Sequence, residues 1–404
     1  MRDGDIHGDI VIVGAGAAGL SLAYRLCAQP WNVPSPQVTL VDAPPGPLRP
    51  PERTWCYWEP PGGEFDEVLT ASWERLRVRG PGGETVEGRP AGLRYKMLRS
   101  GDFEAFVARR TGRCPGFRRV AAAVHTVTDA PGGAEVRGTG PAGEPAVLRA
   151  RWAFDSRPPR PLPPARTTLL QHFRGWFIRT PLPRFDPAVA DLMDFRTPQP
   201  PCGLSFGYVL PFGPCEALVE YTEFSPAVLG DSGYDRALTH YARQVLGLDR
   251  FEVTAVEQGV IPMTDARFPR RTGAAVFRIG TAGGATRPST GYTFATVQRQ
   301  SRAAAEAWRR GKAPLPPRPH RPRARAMDAV LLRALAAGRV DGAAFFTGLF
   351  RQVPMERLLR FLDGRTRAAE DFAIGLRTPV PAMLRTVAEL PWLRRHPPAP
   401  VEAV

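Results

Sequence analysis

Three features of this sequence predict an α/β fold of two interlocked domains with a helical C-terminal part. A glycine-rich turn joins a short apolar strand to a helix near the N-terminus, the pattern of a Rossmann-like nucleotide-binding domain. The middle of the chain alternates apolar and polar residues in short runs, as an antiparallel β-sheet domain does. Beyond residue 326 the pattern is mostly helical. With 404 residues and 43% hydrophobic composition, the chain can bury a large core.

The elements follow in order. Asp9-Ile-Val-Ile-Val13 reads as a buried strand, and Gly14 to about Ala28 as a helix carrying Leu20, Leu22, Ala23, Leu26 and Cys27 on its period. The next β-branched run, Val38 to Val41, ends at Asp42 and completes β-α-β. A helix spans Ser100 to Arg110, and residues 117–155 are hairpin-rich. The prolines from Pro158 to Pro164 mark a crossing between domains, because proline removes ladder donors and holds backbone extended. From Thr167 to about Thr254 short strands such as Ala217-Leu-Val-Glu-Tyr-Thr222 form a sheet over a cavity. Residues 275–312 return to strand, glycine loop and helix, and Pro314 to Arg325 is a connection. The expected division is 1–160 with 255–312 for the nucleotide domain, 161–254 for the β domain, and 313–404 for the helical region.

Lys and Arg exceed Asp and Glu by 54 − 39 = 15. The arginines are dispersed and no zinc-finger or RNA-binding signature is present, so nucleic acid is not an expected partner. Five cysteines without CxxC or His-partnered spacing predict neither a disulfide framework nor a metal site. No run of 18 apolar residues and no signal sequence is visible, so the expected location is cytoplasmic, at most peripherally attached to a membrane.

The candidate chemistry begins at Gly14-Ala-Gly-Ala-Ala-Gly19, a G-x-G-x-x-G between strand and helix. Gly14 permits the turn, Gly16 lets backbone approach a pyrophosphate, and Gly19 lets helix and strand pack closely. The helix N-terminus favours the anion, and Asp42 at the end of the second strand is placed for a ribose hydroxyl. A second apolar strand, Trp152-Ala-Phe-Asp155, also ends in an acid, and a late glycine loop runs Ile279-Gly-Thr-Ala-Gly-Gly284. Two-part flavoproteins bring such a loop against the flavin, whereas an NAD enzyme does not need it. The reading is therefore a flavoprotein with an FAD-binding domain.

Ordered blocks sharpen this: Arg53-Thr-Trp-Cys-Tyr-Trp58, Gln171-His-Phe-Arg-Gly-Trp176, Leu192-Met-Asp-Phe-Arg196, Tyr208-Val-Leu-Pro-Phe212, Leu218-Val-Glu-Tyr-Thr-Glu-Phe-Ser225, Gly259-Val-Ile-Pro-Met263, Gly280 to Tyr292, and Phe345-Phe-Thr-Gly-Leu-Phe350. Together they resemble the bacterial lycopene β-cyclase family, from about residue 8 to 390. The resemblance implies FAD, active when reduced, with NADPH as electron donor. It implies conversion of the linear ends of lycopene into β-ionone rings, giving β-carotene or γ-carotene without net redox change. The cofactor-binding residues it implies, together with the fingerprint, are Gly14, Gly16, Ala17, Gly19, Asp42, Arg53, Asp155, Gly280, Gly283, Gly284, Pro288, Thr290, Gly291 and Tyr292.

Such a reaction needs a proton donor in an apolar pocket and a base for the ring proton, and one carboxyl with a raised pKa serves both. Glu220 matches the family's essential glutamate block; Tyr221 stands where plant members carry a second carboxyl. Glu223 ranks below it, since positions 220 and 223 of a strand point to opposite faces. Trp55, Trp58, Trp176, Phe212 and Tyr292 are candidates to face a cation. Arg287 stands where relatives often have His and is a candidate to meet the flavin. Lycopene and its monocyclic intermediate lie in membranes, so basic segments Arg302 to Lys312 and Ala326 to Arg339, with Leu331, Leu332 and Leu335, are expected on anionic headgroups. The rival readings are a flavin-dependent monooxygenase or polyprenyl reductase, and a non-catalytic carotenoid carrier.

Overall fold

The computed structural model describes residues 8–28 and 35–398. Its first unit is β-α-β: β1 (Ile10–Val13) leads into α1 (Ala17–Leu26), and β2 (Val38–Asp42) returns parallel to β1. Both strands are buried on both faces, which is why they read as unbroken runs. The parallel sheet has the order β18 (Val276–Arg278), β12 (Trp152–Asp155), β1, β2, β8 (Phe117–Ala121). On one face Ile10, Ile12 and Leu40 pack with α1, α2 (Ser100–Thr111) and α4 (Phe294–Arg309). On the other, Val11, Val13 and Val41 meet a three-stranded meander of β9 (Ala123–Ala130), β10 (Gly133–Thr139) and β11 (Pro145–Ala150).

The second sheet has seven strands in the order β17 (Glu252–Thr264), β13 (Thr168–Arg179), β16 (Glu216–Ser225), β15 (Leu204–Pro211), β14 (Val189–Asp194), β5 (Arg75–Arg79), β6 (Thr85–Gly88). Every pair is antiparallel except β14 with β5. One face is closed by α3 (Asp231–His240), through Val209, Val219 and Tyr221 against Tyr234 and Leu238. The other face is covered by a small sheet, β3 (Thr54–Glu59), β7 (Arg94–Arg99) and β4 (Ala71–Trp73), and by α5 (Pro322–Ala336), α6 (Gly342–Gln352) and α7 (Met355–Leu362). The chain continues through α8 (Ala368–Gly375) and α9 (Val380–Glu389).

The mixed α/β architecture is the one expected, but sheet membership cuts across the expected division. β5 and β6 lie within residues 1–160 yet pair into the substrate-side sheet, and the boundary at 254/255 falls inside β17. Strand alternation reports exposure of each segment and carries no information on which distant segment it pairs with. The helix α3 interrupts a region read as all strand. Leu332 and Leu335, expected on lipid headgroups, are 0% and 2% exposed and belong to the core. Among the described residues no helix is long and apolar enough to cross a membrane.

Candidate active site

The fingerprint glycines form a cradle. Gly14 has φ +95°, and a methyl group there would sit 2.3 Å from Ser156 Oγ. A methyl on Gly19 would lie 1.9 Å from the Gly14 carbonyl oxygen, while one on Gly16 would meet nothing within 4 Å. The open space therefore lies above Gly16 and Ala17, where α1 begins. No side chain caps that end and its first turn holds no acid, so its free N–H groups are available to an anion. The late loop presses on the same place: a Cβ at Gly280 would be 2.9 Å from Ala18 Cβ. Gly283 ends a single 3-10 turn capped by Gly284 in the left-handed region. Past Pro288, Gly291 (φ +72°) lets the loop touch β13, since a Cβ there would be 2.0 Å from Gln171 Oε1. Gln171 Oε1 and Thr290 Oγ1 are both buried without a partner. An uncapped helix N-terminus at one end of the loop and two orphaned polar atoms at the other fit a bound dinucleotide with a polar ring edge.

The acidic candidates are less open. Asp42 ends β2 as expected, but its Oδ2 accepts from Arg119 at 2.5 Å. Asp155 caps its own turn, accepting from the Arg157 backbone N–H at 3.1 Å and from the guanidinium Nε and Nη2, each at 2.9 Å. The Arg53 backbone N–H donates to Ser100 Oγ and its carbonyl accepts from the Ser100 N–H, which fixes the start of β3. Arg287 is buried; its Nε pairs with Asp328 of α5 at 3.0 Å, while its Nη1 is buried without a partner. Asp328 also accepts from Ser289 at 2.7 Å. A buried guanidinium takes a carboxylate that can be desolvated with it.

The proposed acid stands between the two sheets. On the seven-stranded sheet Glu220 of β16 pairs with Tyr208 of β15 on one side and Gly175 of β13 on the other. Gly175 in turn pairs with Glu257 of β17. Two carboxylates thus share one face across a residue without a side chain; a Cβ at Gly175 would be 3.5 Å from Glu220 Oε2 and 2.8 Å from Leu218 Cδ1. Glu220 Oε1 accepts from Thr222 Oγ1 at 2.6 Å, which leaves Oε2 free of protein partners. The residue as a whole is half-buried, so part of the side chain remains open. Burial pushes its pKa up to about 8, with Glu257 adding to the rise and the Thr222 hydroxyl opposing it.

Glu257 was not foreseen. It is 7% exposed and accepts from the Thr54 backbone N–H at 2.7 Å and from Thr54 Oγ1 at 2.5 Å. Burial raises its pKa as well, against those hydrogen bonds and the nearby Arg53 and Arg99. The available signal was its position two residues before the Gly259-Val-Ile-Pro-Met263 block. Glu223 lies on the opposite face, as the strand period required: Tyr221 donates to its Oε2 at 3.0 Å and His172 Nε2 lies 3.7 Å from Oε1.

Aromatic rings wall the carboxyl. Tyr292 follows the late loop, and its hydroxyl lies 3.0 Å from that of Tyr95 and 2.9 Å from that of Tyr208. Trp58 meets the Tyr292 ring edge-to-face at 4.6 Å. Alternation along β3 explains which tryptophan arrives: Cys56 and Trp58 face this space, while Trp55 and Tyr57 face the α1 core. Burial raises all three tyrosines, Tyr292 to about 12, so the hydroxyls stay neutral. Of the five aromatic candidates the structure brings Trp58 and Tyr292 together. Trp55 stacks on Phe294, Trp176 packs with Phe251 on the α3 side, and Phe212 packs on Phe177. Tyr95 and Tyr208 are the aromatic residues that sequence reading missed.

A family model described as "Lycopene cyclase protein" matches residues 9–388, almost the whole chain. The chain belongs to the lycopene cyclase family. No curated protein matches it. Solved structures share the fold of this family member at low identity. A geranylgeranyl bacteriochlorophyll reductase-like protein from Thermoplasma acidophilum is 12% identical, with a TM-score of 0.61 over 96% of this chain and 99% of that one. The flavin-dependent monooxygenase PieE, solved with FAD and substrate, is 18% identical, with a TM-score of 0.60 over 96% and 72%. The p-nitrophenol 4-monooxygenase PnpA from Pseudomonas putida is 15% identical, with a TM-score of 0.59 over 97% and 99%.

Proposed function

We propose that this member of the lycopene cyclase family is a β-cyclase that closes the ψ ends of lycopene, and of its monocyclic intermediate, into β-ionone rings. The observation that carries the reading is Glu220: a carboxyl held protonated near neutral pH by burial, with one oxygen free, facing tryptophan and tyrosine rings. The protonated Oε2 gives its proton to the terminal alkene, forming a C–H bond and leaving a tertiary cation. The neighbouring double bond attacks that cation and forms the ring C–C bond, which moves the charge into the ring. The Glu220 carboxylate then takes a ring proton, and the new C=C bond restores neutrality. Atoms and electrons balance without an oxidant. Trp58, Tyr95, Tyr208 and Tyr292 offer ring faces that attract positive charge.

The cradle at Gly14, Gly16 and Gly19, with Gly291, Thr290 and Gln171, fits FAD. Bound there in its reduced form, with NADPH as reductant, FAD supplies negative charge near the site. The C-terminal surface supports peripheral membrane contact in place of Ala326 to Arg339, whose Leu332 and Leu335 are buried. Phe372, Leu376, Leu384, Val387 and Trp392 are 50–85% exposed around α8 and α9, with the exposed Arg377, Arg385 and Arg394 among them.

The test is anaerobic incubation of the flavin-reduced protein with lycopene. Cyclic isomers with no stoichiometric loss of reductant are expected. Hydrogenated or oxygenated products would instead assign the reductase or monooxygenase chemistry of the fold's other members, and bound but unchanged lycopene would make the protein a carrier. In vesicle flotation, Leu384→Asp with Trp392→Asp is expected to release the protein from anionic liposomes; unchanged flotation removes the membrane assignment.

A further inference from the structure

A cleft of about 490 Å³ opens beside the glycine loop, and it is lined by Thr281, Gly283, Gly284 and Pro288 on that side. It is separate from the Glu220 space. Pro262 and Thr264, which line it, alternate along β17 with Glu257, Gly259 and Ile261, so the two spaces take opposite faces of the strand. Its volume lies in the range of small-molecule sites, roughly 300–1,000 Å³.

The cleft is strongly and incompletely charged. Arg166, Arg267, Arg270, Arg318, Arg325 and Arg395 line it, with His320, against one carboxylate, Asp265. That carboxylate is already shared: Oδ2 lies 3.1 Å from Arg395 and 3.6 Å from Arg166, and Oδ1 accepts the backbone N–H groups of Arg166 and Thr167. Arg270 and Arg325 donate to the Pro316 and Ala266 carbonyls. Among the described residues no hydrogen bond or ion pair engages the side chains of Arg267 and Arg318. Arg166 Nε is buried without an acceptor. Burial and the charges of Arg166, Arg267 and Arg325 press Arg395 below the ordinary arginine value, despite Asp265. Burial and nearby arginines likewise lower His320, to about 4, so it is neutral. Like charges held this close are unfavourable unless an anion enters.

We propose that this cleft binds a phosphorylated dinucleotide, the electron donor that reduces the flavin. The donor role rests on the flavin reading above; the phosphate-binding role rests on the cleft alone. Six arginines less one aspartate leave five positive charges. A pyrophosphate answers two of them, whereas a dinucleotide with an additional phosphomonoester carries roughly four negative charges. Guanidinium groups suit phosphate oxygens bidentately. Thr281, Gly283, Gly284 and Pro288 line the cleft, so a ligand there would lie against the loop expected at the flavin. Held by Arg267 and Arg318 with Arg166 and Arg395, such a ligand would supply a hydride, the electron pair and hydrogen of its dihydronicotinamide C–H bond, to oxidised flavin and be left as a pyridinium.

The experiment uses the FAD-loaded protein and Arg267→Glu with Arg318→Glu, two exposed arginines whose change leaves the core intact. Anaerobic calorimetry measures binding of NADPH, NADH, inorganic pyrophosphate and phosphatidylglycerol vesicles. NADPH is expected to bind more tightly than NADH, pyrophosphate to compete with it, and the double variant to weaken NADPH at least tenfold, about 1.4 kcal/mol. The variant keeps its flavin spectrum and, once reduced with dithionite, its turnover. Unchanged NADPH affinity, failure of wild type to bind NADPH or pyrophosphate, or loss of FAD from the variant would overturn the proposal. So would arginine-dependent binding of vesicles alone, which would make the cleft a lipid-headgroup site. Intact NADPH binding with no cyclisation by either protein would instead sink the proposed function and leave this site standing.

Discussion

Glu220 and Glu223 stand three residues apart on β16 and meet opposite environments. Glu223 faces α3 within a closed polar network: Tyr221 donates to it, His172 lies beside it, and His172 is itself held by Tyr234 at 2.7 Å and Ser225 at 2.8 Å. Burial lowers His172 to about 4, so its imidazole is neutral. Glu220 faces the other way, with one hydroxyl partner and aromatic rings in place of donors. A carboxyl set among polar side chains is a fixture of the fold, whereas one set among aromatic rings, with its second oxygen free, is pressed by burial to keep its proton and is placed to release it.

The largest effect expected from this contrast is at Glu220. Glu220→Gln should lower product formation by about 10³-fold or more, while lycopene binding and the flavin spectrum persist. Rates in wild type should fall as pH rises through about 8, where the acid loses its proton. Stability has the same sign. The folded pKa is raised above the unfolded one, so this group's contribution is fully present below the unfolded value and is lost as pH rises through about 8. Thermal unfolding near pH 9 should therefore find the glutamine variant more stable than wild type. An equally inactive but less stable variant at that pH would contradict the assignment of a strained, functional carboxyl.

Next in size is Gly175→Ala, whose methyl displaces the end of Leu218 and comes into contact with the Glu220 side chain. Turnover should drop roughly tenfold, on the scale of a small misplacement of a reacting group. Glu257→Gln should act more gently. Removing its charge takes away one cause of the raised Glu220 value, so the alkaline limb of the pH–rate profile should move to lower pH while most of kcat remains. A pH profile that does not move would show that Glu257 only anchors Thr54. The smallest catalytic effect belongs to Glu223→Gln: about 1–3 kcal/mol less stable by denaturant unfolding, with turnover within about twofold of wild type.

Much of this contrast was legible in the sequence because it is local. The period of a strand puts 220 and 223 on opposite faces, and G-x-G-x-x-G between strand and helix locates the cradle without further information. What was not legible is long-range. Glu257 reaches Glu220 only through β13, and the hydroxyls of Tyr95 and Tyr292 meet across 197 residues. The entry of β5 and β6 into the substrate-side sheet has the same cause. Arg287 adds a further case: its sequence neighbours indicated the flavin loop, but the ion pair of its Nε with Asp328, brought in by α5, was not readable there.

The triangle of Tyr95, Tyr208 and Tyr292 has a consequence for fidelity. A wall of phenols around an electrophile risks being alkylated by it, ending the enzyme's life in an ether bond. Here the Tyr95 and Tyr208 hydroxyls each hydrogen-bond that of Tyr292, and the three rings remain un-ionised, so none presents a phenolate oxygen to the cation. The wall presents its ring faces and withholds its oxygens, and so lines the cavity with surfaces that can attend a reactive intermediate through many turnovers without being consumed by it.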